Sequence, residues 1–187
     1  MTDNTPDFEL SEGHVERELV GGEQIERRIV ELAHRISEDY ADAGELVLVG
    51  ILKGAFIFLA DLSRQLTVPR RIEFMALSSY RDGTEAGDVR LIMDLRTSIR
   101  DRHVLVVEDI VDSGHTLRYL LDALAAREPA SLECCALVLK RGSLEVEVDV
   151  RYVGFEIQDE WIVGYGLDYD EQHRALPYIA SFRPPGE

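Results

Sequence analysis

Cysteine is scarce in this sequence, and the scarcity limits what the protein can be. The chain has 187 residues and 2 cysteines, which lie side by side as Cys134 and Cys135 in an apolar run. Adjacent cysteines have neither the spacing of a metal-ligand motif nor that of a disulfide framework. We therefore predict that both are small, buried hydrophobic residues.

Long hydrophobic runs are also missing. No apolar stretch reaches the roughly 18 residues that a membrane-spanning helix requires. The start of the chain, MTDNTPDFELSEGH, is acidic and has no apolar stretch, unlike a secretory signal. Together with the cysteine pattern, these absences predict a cytoplasmic protein with no membrane partner.

Positive charge is the third deficit. The sequence has 20 Lys and Arg residues against 36 Asp and Glu residues, a formal net charge of −16 at pH 7. It contains no block rich in Lys or Arg, so it lacks the basic surface that non-specific nucleic-acid binding requires. We predict no nucleic-acid partner. The negative charge favours solubility and is compatible with a salt-rich habitat.

What the sequence does contain is a regular alternation of apolar strands and amphipathic helices. Hydrophobic residues make up 45% of the chain, and no repeat, linker or low-complexity segment divides it. We therefore predict one domain over residues 1–187, with a mostly parallel α/β sheet flanked by helices. Residues 1–13 are predicted to be a loose arm and 181–187 a frayed end. The predicted strands are 46–52, 72–77, 89–95, 104–107, 132–139, 146–155, 161–163 and 178–180, and the predicted helices are 21–40, 56–66 and 117–124.

The most informative stretch is VLVVEDIVDSGHT, residues 104–116. A buried strand leads to two adjacent carboxylates, then to a small polar loop and a helix N-terminus. Backbone N–H groups at a helix N-terminus bind anions, and Gly114 lets the backbone approach a phosphate. A phosphate cradle alone has no use for Glu108 and Asp109, but two carboxylates suit a ribose diol and Mg²⁺. The stretch predicts a site for a ribose 5-phosphate group. The alternative is an ordinary turn capped by Asp112 or Ser113.

Other polar residues follow the predicted strands at their carboxyl ends. Lys53-Gly54, Ser79-Tyr80 and Lys140 each come directly after a strand, as Glu108 does. In open α/β sheets, ligands bind beyond the carboxyl ends of the strands. We therefore expect these residues to meet at one edge. The sequence has no G-x-x-x-x-G-K-[ST] motif, so this is not a Walker-type phosphate loop.

EDIVDSGHT resembles the signature loop of the phosphoribosyltransferases, whose substrate is 5-phosphoribosyl 1-diphosphate. Four more segments resemble the hypoxanthine-guanine phosphoribosyltransferases in the same order: LKG at 52–54, SSY at 78–80, LVLKRG at 137–142 and VGFEIQDEWIVGYGLDYDEQHRALPYI from 153. The resemblance covers residues 46–180. It implies the type I phosphoribosyltransferase fold, with a core at 46–140, a small hood built from about 15–40 and 150–183, and a homodimer or homotetramer.

The implied reaction moves the phosphoribosyl group to hypoxanthine or guanine, giving IMP or GMP and pyrophosphate, with Mg²⁺ as cofactor. The resemblance assigns Asp112 to proton exchange at purine N7. It assigns a mobile lid to Ser79, Tyr80 and the loop to about residue 88, and a cis peptide bond to Leu52–Lys53. The implied metal ligands are Glu108, Asp109 and Asp168. The implied substrate-binding residues are Lys53, Gly54, Ser79, Tyr80, Glu108, Asp109, Asp112, Ser113, Gly114, His115, Thr116, Lys140, Trp161, Ile162 and Arg174.

In the purine pocket, the resemblance implies that Lys140 donates to purine O6, Trp161 stacks on the ring and Ile162 offers its backbone carbonyl. Arg174 would contact the pyrophosphate. The alternatives are structural: Trp161 packed in the core, and Lys53, Asp168 and Arg174 as surface charges. Two other functions stay open, a xanthine-preferring or broader 6-oxopurine transferase and a non-catalytic regulator on the same fold.

Overall fold

The computed structural model describes residues 13–79 and 89–186, whose strands form one large and one small sheet. The elements are β1 (His14–Val20), α1 (Gly22–Asp39), β2 (Leu46–Leu52), α2 (Phe56–Gln65), β3 (Arg70–Ser79), β4 (Val89–Met93), β5 (His103–Val111), α3 (His115–Ala125), β6 (Ser131–Leu139), β7 (Tyr152–Glu156), β8 (Ile162–Val163) and β9 (Ile179–Arg183), with a 3-10 turn at Arg141–Ser143. The large sheet has the order β4-β3-β2-β5-β6-β7, and only β4 runs antiparallel to its neighbour. The predicted mostly parallel α/β fold is confirmed.

The large sheet is buried on both faces because its central strands are apolar along most of their length. Leu46 and Leu48 of β2 face one hydrophobic cluster, which α1 and α2 cover, and Val47 and Val49 face a second cluster, which α3 covers. Burying one such side chain contributes about 1.5–3 kcal/mol. The predicted helix stripe is confirmed, since these α1 residues are all buried: Ile25, Ile29, Leu32, Ala33 and Ile36. Cys134 and Cys135 are buried and unpaired, as predicted.

The small sheet forms a hood in the antiparallel order β1-β9-β8. Within the ranges predicted for the hood, α1 and β7 lie instead in the layer of the large sheet. The prediction of a frayed end at 181–187 is wrong for its first three residues. Residues 181–183 belong to β9, a strand of the hood, and Phe182 is buried there. Strand β1 was not predicted at all. The predicted loose arm lies outside the described residues except for Gly13.

Residues 146–151 were wrongly predicted to be strand. Their alternating pattern has another cause, because Val148 and Val150 pack against the cluster that α3 covers. The backbone N–H of Val146 donates to the Ser113 carbonyl at 3.3 Å and so contacts the loop before α3. Burial on one side, without sheet pairing, is enough to produce the alternation.

Among the described residues, no helix combines the length and the hydropathy needed to cross a membrane.

Candidate active site

A cavity of about 330 Å³ opens at the carboxyl ends of β2 and β5. The loop of residues 164–174, which follows β8, closes its far side. The cavity is lined by the predicted residues Lys53, Gly54, Glu108, Asp109, Asp112, Ser113, Gly114, Thr116, Asp168 and Arg174. These residues are separated by up to 121 positions in sequence (174 − 53), and the parallel sheet brings them to one edge.

The loop of residues 112–116 leads from β5 into α3. Gly114 is the N-cap of α3 and has φ +88°, a left-handed conformation that glycine adopts without steric cost. A Cβ at Gly114 would lie 3.1 Å from atoms of Val146, so the position is also tight. Within the described part of the chain no side chain caps this helix. The alternative that Asp112 or Ser113 is a helix cap is therefore wrong, and the first N–H groups of α3 stay available to an anion.

The two adjacent acids in the last part of β5 are shielded from water, Glu108 fully and Asp109 partly. Burial raises the pKa of Glu108 well above its usual range, and the neighbouring Asp109 adds to the effect. Burial also raises the pKa of Asp109 to about 6, although two backbone N–H groups and Arg174 act in the opposite direction. A desolvated carboxylate is costly without a counter-charge, so this edge of the cavity favours a cation or a hydroxyl donor.

The turn after β2 packs directly on the second of these acids. A Cβ on Gly54 would lie 1.6 Å from Asp109 Oδ2, and a Cβ on Gly166 would lie 2.0 Å from the Gly54 carbonyl oxygen. Only glycine fits at both positions, which lets three segments of backbone converge beside the cavity. The peptide bond between Leu52 and Lys53 is cis, as the resemblance implied.

The loop of residues 164–174 carries a compact charge network. Arg174 Nη2 lies 2.9 Å from Asp168 Oδ1 and 3.4 Å from Glu171 Oε1, and Arg174 Nη1 donates to the Gly166 carbonyl at 2.8 Å. Lys53 Nζ lies 2.9 Å from Glu171 Oε2. Lys53, Asp168 and Arg174 are thus linked rather than independent surface charges. Sequence reasoning missed Glu171, because a loop residue paired with a partner 118 positions away leaves no periodic signal.

Among the described residues, no three His, Cys, Asp or Glu side chains converge as a metal cluster. Glu108, Asp109 and Asp168 therefore do not form one closed set of ligands. They offer carboxylate oxygens, the ligands that Mg²⁺ prefers. Mg²⁺ also keeps several waters and takes substrate phosphates as ligands, so an open arrangement of a few carboxylates fits its chemistry.

Beyond the cavity, Lys140 joins the loop of β5 to the hood. Its side chain is 7% exposed, and its Nζ lies 3.1 Å from Asp112 Oδ2 and 3.4 Å from Asp159 Oδ1. The structure thus brings together two of the four residues predicted to contact the purine, Asp112 and Lys140. It adds Asp159, which the sequence did not single out because an exposed acid in a loop has no distinguishing pattern.

Trp161 and Ile162 lie at the start of the hood and outside the cavity lining. Trp161 is 48% exposed, and its ring meets that of Tyr169 edge to face at 5.9 Å. The alternative that Trp161 packs in the core is therefore wrong. Ile162 is buried in β8. His115 is also outside the cavity lining, and its Nε2 lies 3.0 Å from Glu145 Oε2.

The predicted lid is largely beyond the described structure. Ser79 is the last residue of β3, and Tyr80 and residues 81–88 lie outside the described residues. The predicted strand at 89–95 is confirmed over Val89–Met93, and this strand, β4, pairs antiparallel with β3. The lid assignment itself stays a prediction.

Comparison with known proteins gives a consistent result. Residues 17–170 match the family model described as phosphoribosyl transferase domain. The chain is 46% identical over 182 residues to the hypoxanthine-guanine phosphoribosyltransferase of Mycobacterium avium, covering 94% of this chain and 90% of that protein. It is 46% identical to the hypoxanthine phosphoribosyltransferase of Salmonella typhimurium over 90% of this chain and 96% of that one. A structure of hypoxanthine phosphoribosyltransferase from Trypanosoma cruzi, in complex with the product IMP, superposes with a TM-score of 0.86 at 43% identity, covering 92% of this chain and 97% of that one.

Proposed function

This chain belongs to the phosphoribosyltransferase family, and we propose that it transfers the 5-phosphoribosyl group of 5-phospho-α-D-ribose 1-diphosphate to a 6-oxopurine. The acceptor is hypoxanthine or guanine, and the products are IMP or GMP and pyrophosphate, a reaction of purine salvage. One observation carries the proposal beyond the sequence similarity. A buried acid pair leads into an uncapped helix N-terminus, and Asp112 of the same loop lies beside Lys140.

The phosphoribosyl end of the substrate fits the cavity from β5 to α3. The 5′-phosphate occupies the loop of residues 113–116, where backbone N–H groups and hydroxyls donate to its oxygens. The ribose hydroxyls donate to Glu108 and Asp109, which replaces some of the hydration that burial removes. The pyrophosphate lies between the Lys53-Gly54 turn and Arg174. Holding both ends fixes ribose C1 for attack, and such positioning can supply several kcal/mol of catalysis.

Mg²⁺ is proposed as the cofactor because the donors that face this ligand are carboxylates. Asp168 would hold one ion on the pyrophosphate side, and Glu108 with Asp109 would hold one beside the ribose hydroxyls. When bound, Mg²⁺ neutralises charge on the departing pyrophosphate. The raised pKa of Asp109 supports the assignment, because a buried carboxylate gains most from a nearby cation.

The purine end depends on Lys140, Asp112 and the hood. Lys140 donates to purine O6, which selects 6-oxopurines because the amino group of adenine cannot accept that bond. Asp112 takes or gives the proton at N7 as the bond between nitrogen and ribose C1 forms and the bond to pyrophosphate breaks. Trp161 has half of its surface exposed and supplies a stacking face, and Ile162 offers its carbonyl to the purine edge.

The proposal extends to the assembly of the protein. We assign residues 1–187 to a single domain, in which the hood and the core would share the purine site. The chain forms a homodimer or homotetramer and works in the cytoplasm. The exposed apolar side chains of Phe56, Ile72 and Phe74 support self-association, because water-exposed apolar surface is stabilised by burial in an interface. Light scattering at several protein concentrations tests the oligomer.

A single set of incubations tests the reaction. The protein is mixed with 5-phosphoribosyl 1-diphosphate, Mg²⁺ and one base, either hypoxanthine, guanine, xanthine or adenine, and nucleotide formation is followed by ultraviolet absorbance. We expect IMP and GMP to form and AMP not to form. Faster turnover with xanthine would shift the assignment to a xanthine-preferring transferase. Absence of nucleotide with every base would overturn the proposed function.

A further inference from the structure

A tyrosine–carboxylate contact lies behind the loop of residues 164–174, on the side away from the cavity. The Tyr165 hydroxyl donates a hydrogen bond to Asp61 Oδ2. The Tyr165 side chain is buried, and Asp61 also pairs with Arg64. Burial raises the pKa of the Tyr165 hydroxyl, and the bond to Asp61 raises it further. The hydroxyl therefore stays protonated, and the bond persists at neutral pH.

The two partners belong to the two halves of the proposed pyrophosphate site. Asp61 lies on α2, the helix that begins directly after the Lys53-Gly54 turn. Tyr165 directly precedes Gly166, whose backbone packs on the Gly54 carbonyl. The bond thus joins α2, which follows the Lys53-Gly54 turn, to the loop of residues 164–174, which carries Asp168 and Arg174.

Apart from the packing of Tyr165 and Leu167 in the main hydrophobic cluster, the contacts of the loop are mainly internal, so few polar contacts fix its position over the cavity. Tyr165 N donates to the Leu176 carbonyl and Gly166 N to the Arg174 carbonyl, each at 2.9 Å, and both bonds are internal to the loop and its return. The Lys53–Glu171 pair reaches out of the loop, but both side chains are more than 60% exposed. Exposed pairs contribute little in water.

The Tyr165–Asp61 bond is the stronger constraint, because Tyr165 is buried and the Asp61 side chain is only 29% exposed. Hydrogen bonds to a charged group contribute more than neutral ones, and partial burial limits competition from water. The Tyr165 ring belongs to the main hydrophobic cluster and also borders a cavity of about 570 Å³ between α1 and α2. The hydroxyl adds a directional contact that apolar packing does not supply.

We propose that Tyr165 and Asp61 are positioning residues for the pyrophosphate end of the substrate. Their hydrogen bond fixes the distance between the Lys53-Gly54 turn and the loop that carries Asp168 and Arg174. The inference rests on the proposed function, because it names the ligand group that the loop meets. It adds two residues that contact no substrate and act through others.

Tyr165→Phe tests the proposal, because it removes the hydroxyl and keeps the ring. Titration calorimetry gives the Kd of 5-phosphoribosyl 1-diphosphate with Mg²⁺ and, separately, the Kd of IMP. We expect the first Kd, and the matching KM, to rise about tenfold, the lower end for loss of a hydrogen bond to a charged group. The Kd of IMP should stay unchanged, since IMP has no pyrophosphate.

Tyr152→Phe is the matched control. Tyr152 is also a buried tyrosine, and its hydroxyl donates to Asp39 Oδ2 at 2.7 Å, between α1 and β7. This variant should lose stability in urea unfolding without weakening either ligand. In a double-mutant cycle, Asp61→Ala combined with Tyr165→Phe should weaken substrate binding no more than the stronger single variant does, because both remove the same bond.

Two results would overturn the inference. In the first, the Kd of 5-phosphoribosyl 1-diphosphate is the same for Tyr165→Phe as for the parent. In the second, the Kd of IMP rises by the same factor as the Kd of 5-phosphoribosyl 1-diphosphate. The first would show that the loop keeps its place without the hydroxyl, and the second would show a general loss of structure. Failure of the proposed function looks different, because the parent protein itself would then form no nucleotide.

Discussion

At the scale of single residues, the site depends on groups whose roles are set by their neighbours. Lys140 is buried between Asp112 and Asp159, so its ammonium keeps partners before any purine arrives. A buried ammonium without such partners would be costly. The same arrangement leaves the Asp112 side chain half exposed.

Asp112→Asn separates proton transfer from charge pairing. The amide keeps the size of the side chain and can still accept a bond from Lys140, but it is no longer a strong proton acceptor. We expect kcat to fall by about 10²- to 10⁴-fold, the usual contribution of a general acid or base. The Kd of 5-phosphoribosyl 1-diphosphate should change little, as measured by calorimetry.

Asp159→Asn is the matched control, because Asp159 is the other carboxylate that pairs with Lys140. It should leave kcat near that of the parent. Equal losses in the two variants would show that Asp112 acts only by holding the lysine.

Trp161 allows an optical test, since it is the one tryptophan in the chain. If its ring stacks on the purine, IMP should quench or shift its emission saturably, whereas ribose 5-phosphate should not. Trp161→Ala should lose about 1–3 kcal/mol of nucleotide affinity, the magnitude of base–aromatic stacking. Trp161→Phe should keep most of that affinity.

The exposed position of the ring means that the alanine variant should still fold, which circular dichroism checks. Nucleotide affinity equal to that of the parent in Trp161→Ala would remove the stacking role. The purine position at residues 161–162 would then have to be revised.

At the scale of elements, the ends of helices and strands are held by specific polar contacts. Asp39, the last residue of α1, accepts bonds from the Tyr152 hydroxyl at 2.7 Å and from Arg151 Nη2 at 2.9 Å, which joins α1 to β7. The Tyr152 bond lowers the pKa of Asp39, and Arg151 lowers it further, whereas desolvation acts against them. The end of the sheet is thus fixed to the helix that covers it.

Asp39→Asn should therefore change how stability depends on pH. Because the pKa of Asp39 is lower in the folded state, its contribution is present above the ordinary aspartate pKa of about 3.9 and is lost as the pH falls through the folded value. At pH 7 we expect the free energy of unfolding of the parent to be higher than that of the variant by roughly 0.5–1 kcal/mol. The difference is small because the carboxylate is partly exposed. Urea unfolding at pH 7 and at pH 3 measures it. A gap that stays constant over this range would contradict the assignment.

At the scale of the whole molecule, a chain with a net charge of −16 binds a ligand that is itself strongly negative. In the proposed complex, the first N–H groups of α3, Lys53 and Arg174 supply part of the compensation. The carboxylates around the cavity work against binding unless a cation joins them. The charge balance of the complex therefore supports the proposed Mg²⁺.

Removal of Mg²⁺ should abolish activity and leave the fold intact. In excess EDTA we expect no nucleotide formation, with full recovery when Mg²⁺ is added in excess of the chelator. The melting temperature of the free protein should be the same with and without EDTA, because no metal cluster lies among the described residues. Full turnover in EDTA would show that the carboxylates do not work through a metal.

Local chemistry determined what the sequence by itself could predict. The limits of β2 follow from an unbroken apolar run, and the buried stripe of α1 follows from side-chain periodicity; both depend only on neighbours along the chain. The loop from Glu108 to Thr116 was predicted as a ligand site because its strand, acids and helix N-terminus are contiguous. The role of Gly114 in the turn before α3 could be predicted for the same reason, because it depends on residues next to it in sequence.

Only the tertiary structure decided how distant segments meet. Strand β1 lacks an alternating pattern, because two register irregularities interrupt its pairing with β9 at the other end of the chain. The partnerships of Glu171 with Lys53, Asp159 with Lys140 and Asp61 with Tyr165 each join two segments that are remote in sequence or lie in irregular loops. Such contacts have no period for a sequence pattern to reveal. They exist because the parallel sheet delivers the ends of its strands to one edge, where the hood and the loop of residues 164–174 close over them.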